Sequence, residues 1–91
     1  MKFRITRHAT ASPPEDALDL LTSRIGARRD DVHFARVGGE LRANLDRDEP
    51  VAMTLDERTD IGRRAVLEIV EEVCERAPEL KLDWFAVSPA R

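Results

Sequence analysis

The sequence predicts an α+β sandwich, and three observations carry that prediction. Residues 2–7 alternate polar and apolar side chains, the period of a half-buried strand. Gly38-Gly39 lies between two further strand-like runs, a hairpin signal because both residues accept positive φ. Residues 13–25 and 54–77 carry apolar side chains three and four apart, the period of a helix with one buried face.

Taken in order, Lys2-Phe3-Arg4-Ile5-Thr6-Arg7 puts Phe3 and Ile5 on one face of the first strand. Ser12-Pro13-Pro14-Glu15 reads as a helix start. Ser12 supplies an acceptor for a first-turn N–H, Pro13 takes the first helical position and Glu15 completes a capping box. Ala17, Leu18, Leu21 and Ile25 form the apolar stripe, and Gly26 ends the helix. The hairpin strands are Asp31 to Val37 and Glu40 to Asp46. A two-residue turn pairs Val37 with Glu40, and therefore Phe34 with Ala43, His33 with Asn44 and Val32 with Leu45. Directly paired residues share a face. Val32, Phe34, Leu41, Ala43 and Leu45 thus fall together, with Arg36 as the exception near the turn. Asp46 to Pro50 is an acidic loop. Thr54-Leu55-Asp56-Glu57 is a second capping box and opens the longest helix. Its stripe is Ile61, Ala65, Val66, Ile69, Val70, Val73 and Ala77, and Pro78 follows its end. Leu82 to Val87 reads as the last strand, and Ser88 to Arg91 as a short tail.

The order strand, helix, strand, strand, helix, strand is the ferredoxin-like βαββαβ sandwich. It implies a four-stranded antiparallel sheet, first and third strands central, with two helices on one face. All 91 residues are read as a single domain, 1–91. Charged residues at 36% and hydrophobic ones at 42%, the latter in periodic blocks, exclude a disordered chain. No apolar run is long enough to span a bilayer, and Met1 to Thr10 has no apolar secretory core. A cytoplasmic location is the resulting expectation. The single cysteine, Cys74, excludes an intrachain disulfide and a cysteine-built zinc or iron–sulfur site within one chain. It falls beside the second helix's stripe, as a small core residue.

The architecture leaves one sheet face open. With Phe3 and Ile5 inward, Lys2, Arg4 and Thr6 face out, joined by His33, Ala35, Val37, Glu40, Arg42 and Asn44. On the last strand Leu82, Trp84 and Ala86 are set inward, and Asp83, Phe85 and Val87 outward. The face is then cationic at its centre and apolar at its edges, while Glu68, Glu71, Glu72 and Glu75 make the long helix acidic. The net charge of -3, from 15 basic and 18 acidic residues, is a cancellation between these two sides.

The expected function is a small non-enzymatic interaction module. It self-associates as a homodimer or docks a partner protein through Arg4, Ala35, Val37, Arg42, Phe85 and Val87, because a monomer rarely leaves a contiguous apolar patch in water. A first alternative is binding of an anion or nucleic acid through Arg4 and Arg42, with Arg36 as a further candidate, since guanidinium forks suit carboxylate and phosphate. The central strands offer no aromatic for base stacking, and the isoelectric point is near 5.4; both weigh against nucleic acid.

A second alternative is a small enzyme or metal site. The hairpin register gathers Asp31, His33, Asn44 and Asp46, residue types that hold a metal or share a proton. Compensation of the two carboxylates by Arg47 or Arg4 accounts for the same group without a metal. Asp46, Asp48 and Glu49 lack the spacing of an EF-hand loop. No catalytic residue, metal or cofactor is assigned. Arg7-His8-Ala9 resembles the Arg-His motif of the histidine phosphatase superfamily, in which the His is phosphorylated and the Arg binds the phosphoryl group. The resemblance is confined to residues 1–10. Ala9 stands where that family usually has Gly, and only His33 remains to supply the second His its chemistry requires.

Overall fold

The fold is described from a computed structural model, over residues 1–46 and 53–90. The elements are β1 (Lys2–Arg7), α1 (Ala17–Ile25), β2 (Arg28–Arg29), β3 (Val32–Val37), β4 (Glu40–Leu45), α2 (Leu55–Arg76) and β5 (Phe85–Pro89), with 3-10 turns at Ala9–Ala11 and Leu82–Trp84. The strands form one antiparallel sheet in the order β2-β3-β4-β1-β5. The α+β class and the two helices stand, but the sheet has five strands where four were expected. The added strand is two residues long, too short to show a period. It exists because Asp30 takes positive φ (51°), a conformation Asp tolerates, and turns Arg29 back against Val32.

The hairpin has the expected register. Val37 pairs with Glu40, Phe34 with Ala43, His33 with Asn44 and Val32 with Leu45. Beyond the strand ends, the Asp46 N–H donates to the Asp31 carbonyl at 2.7 Å. Only the first turn glycine, Gly38, takes positive φ (59°). Arg36 breaks the apolar pattern because it lies opposite Leu41 on the buried side, where its Nη2 reaches Asp19 Oδ1 of α1 at 3.2 Å.

The first helix starts later than its capping box implied. Ser12 takes positive φ (46°) and closes the first 3-10 turn, and its side chain caps nothing in α1. Asp16 holds the N-cap position without a side-chain cap bond. Pro14 explains the shift: a residue that precedes proline is pushed out of the α region, so Pro13 cannot begin a helix. Gly26 does end α1, at φ 81° and ψ -174°, a region essentially reserved for glycine.

The second helix opens as read. Thr54 Oγ1 accepts from the Glu57 N–H at 3.1 Å, while Asp56 and Glu57 place negative charge at the positive end of the helix dipole. Thr54→Ala is expected to cost about 1 kcal/mol, read as a lower urea midpoint with an unchanged slope.

The core is one cluster. Phe3, Ile5, Leu21, Val32, Leu41, Val66 and Val70 are its largest fully buried members, drawn from both helices and from one side of the sheet. The last strand corrects the sequence reading. Leu82–Trp84 is a 3-10 turn, and β5 begins only at Phe85. Phe85 and Val87 are 6% and 5% exposed and belong to the core. The pairing partner decides this: Val87 lies opposite Ile5, which faces inward, and paired residues share a face. Apolar residues occupy both parities from Leu82 to Val87, so alternation alone could not choose between them.

Two contacts tie α2 to the sheet. Gly62 is buried, and a Cβ built there would lie 2.8 Å from the Phe3 ring. The next residue, Arg63, donates from Nε to the Val87 carbonyl at 2.9 Å, on the free edge of β5. Among the described residues, no helix is long and apolar enough to cross a membrane.

Candidate functional site

Two neighbouring cross-strand rows make the cationic part of the outward side of the sheet. Arg28, His33, Asn44 and Lys2 form one across β2, β3, β4 and β1. Ala35, Arg42, Arg4 and Ser88 form the next across β3, β4, β1 and β5. Arg4 and Arg42 therefore stand directly opposite each other on neighbouring strands. Arg42 Nε lies 2.9 Å from Glu40 Oε2, which neutralises one guanidinium. Arg4 and Lys2 are exposed and have no ion-pair partner among the described residues. A shallow hollow of about 460 Å³ lies over Ala35, Val37, Asn44 and Lys2.

Four of the six residues expected at a partner surface share this face: Arg4, Ala35, Val37 and Arg42. Val37 is 52% exposed, the most prominent apolar side chain there. Phe85 and Val87 lie on the buried side, so the apolar patch is smaller than the sequence implied. The face is a set of cations bordered by two small apolar side chains. Arg28 is the member that sequence reading missed, because it arrives on the two-residue strand. The acidic counterpart is on α2, where Glu68, Glu71 and Glu75 are exposed and Glu72 is reached by Arg76 at 3.4 Å.

Two members of the alternative acid–base or metal group, His33 and Asp46, meet. His33 Nε2 lies 2.7 Å from Asp46 Oδ2 and 2.8 Å from Arg28 Nη1. One ring nitrogen either donates to the carboxylate or accepts from the guanidinium, and cannot do both. The guanidinium puts a fixed cation against the nitrogen a metal would need. Among the described residues, no group of three His, Cys, Asp or Glu side chains is arranged to hold a metal ion. The residues of the acidic loop after Asp46, including Asp48 and Glu49, lie outside the described residues.

The two histidines are kept apart by the sheet. His8 follows the end of β1, its Nδ1 2.7 Å from Thr10 Oγ1 and its backbone N–H bonded to the Trp84 carbonyl. His33 belongs to the row of Lys2 at the opposite end of the same strand. Six residues of strand separate the rows by roughly 20 Å. The pair needed for the phosphatase-like reading of Arg7-His8 does not form.

Cys74 is half-buried, and burial raises its thiol above the ordinary value, which disfavours the reactive thiolate. Phe3, Phe34 and Phe85 are buried, and the half-buried Trp84 packs edge to face on Phe85 at 6.5 Å and 71° beside His8, so the rows of Lys2 and Arg4 contain no Phe or Trp. Comparison with protein-family models, with curated proteins and with solved structures found no match.

Proposed function

We propose that this chain is a small non-enzymatic interaction module that docks a partner protein on the open face of its sheet. The observation that carries this reading is the opposed pair Arg4 and Arg42, with Glu40 neutralising only one of them. Like charges directly opposite in a sheet cost stability. A chain selected only to fold gains nothing from keeping them, whereas an oppositely charged partner offsets the repulsion. The hollow beside Ala35 and Val37 adds apolar contact area next to the charge.

We read the strand order as a ferredoxin-like sandwich, one domain over residues 1–91, with both helices behind the sheet and this face free. A cytoplasmic setting accords with the single cysteine. Homodimerisation through the same face loses support. Phe85 and Val87 are committed to the core.

Two measurements test the reading. Light scattering after size exclusion is expected to give a monomer at every concentration and salt level; a dimer abolished by Val37→Asp would replace partner docking with self-association. Arg4→Thr is expected to raise the unfolding free energy by about 0.2–1 kcal/mol, by removing the repulsion that the Glu40–Arg42 pair only partly offsets. A loss of stability in that variant would take away the argument that the cations are kept for binding.

A further inference from the structure

We infer that the segment docked on this face is acidic, with carboxylates at alternate residues of an extended chain seated on Lys2 and Arg4. The inference rests on the docking reading above and specifies the partner's chemistry. Lys2 and Arg4 lie two residues apart on β1, both exposed and both without an ion-pair partner among the described residues. Two strand residues advance by about 6.6–6.8 Å, the interval at which any extended peptide repeats the side chains of one face. A segment laid along β1 with Asp or Glu at positions i and i+2 therefore meets a cation with each carboxylate. Arg28 belongs to the row of Lys2, and Arg42 to the row of Arg4.

The same face limits how long the acidic run can be. Glu40 follows Arg42 toward the hairpin turn, and Asp46 closes the other end beside His33. The cations are thus framed by carboxylates, which suits a short acidic segment and repels a continuous polyanion. The lack of Phe or Trp in these rows points the same way, because sequence-tolerant nucleic-acid binding stacks bases on such rings.

The test uses the full chain, labelled with nitrogen-15, and four probes. They are a short synthetic peptide alternating glutamate with serine, its glutamine and lysine counterparts, and an oligothymidylate of matching charge. The glutamate peptide is expected to move the amide signals around Lys2, Arg4, Arg42 and Asn44. Arg4→Thr is expected to weaken it about threefold to tenfold without lowering the melting temperature, so that lost binding is not lost folding. If the glutamine or lysine peptide moves the same amides more strongly, the acidic assignment falls and the docking reading stands. If no probe moves them, both fall. Tighter binding of the oligothymidylate than of the glutamate peptide overturns the inference in favour of nucleic acid.

Discussion

Phe85→Ala is expected to lower the unfolding free energy by about 3–5 kcal/mol, the usual cost of emptying a buried phenylalanine site. A chain of this size commonly holds only about 5–15 kcal/mol in total, so much of the folded population at physiological temperature depends on this ring. Phe85 belongs to the buried core cluster, with Trp84 edge-on at 6.5 Å. Urea unfolding followed by the single tryptophan reads the loss directly, and the native emission itself should shift when the neighbouring ring goes. Ser88→Ala, on the outward parity of the same strand, is expected to change stability by less than about 0.5 kcal/mol. Equal effects at the two positions would mean that Phe85 faces solvent, and the reassigned parity of β5 would be wrong.

Gly62→Val is expected to destabilise by about 1–3 kcal/mol, as overpacking of a filled core does. The sign is informative. Replacing glycine inside a helix ordinarily gains up to about 1 kcal/mol, because glycine loses the most backbone freedom on folding. Here the first side-chain carbon would lie 2.8 Å from the Phe3 ring, which is fully buried and cannot swing into solvent. Phe3→Leu shortens the obstructing side chain, so the double variant should recover part of the loss, with a coupling above about 0.5 kcal/mol in a double-mutant cycle. A stabilising Gly62→Val would show that α2 does not cross β1 at this point.

Most of the architecture was legible because it rests on local periodicity. The hairpin register followed from Gly38-Gly39 alone, since a two-residue turn fixes every pair behind it. The core face of β1 and most of the stripe of α2 followed from their periods, but Ile61, read into that stripe, is 43% exposed, and its neighbour Gly62 is the buried residue of that turn. What was not legible depends on contacts distant in sequence. The parity of β5 is set by Ile5, more than eighty residues away, and no local pattern encodes it. β2 has no period to detect, and with it Arg28 was missed. Gly62 carried a hidden constraint, because a glycine inside a helix looks like a defect until the opposing ring is known. The candidate face was legible in its charges but not in its apolar part: Arg4, Ala35, Val37 and Arg42 share it, while Phe85 and Val87 belong to the fold.

The bond from Arg63 to the Val87 carbonyl bears on how the protein behaves when it is crowded. A sheet ends in rows of unused N–H and C=O groups, and such rows template the addition of further strands. On β5 the Arg63 guanidinium covers one of these acceptors, and Pro89 has no N–H to offer at the strand's end. At the other end of the sheet stands β2, two residues long and both of them arginine. Neither rim is a good seed for cross-β growth. Strand addition at either rim is thereby limited, so global stability weighs more than the sheet edges in any fibrillar assembly of this chain.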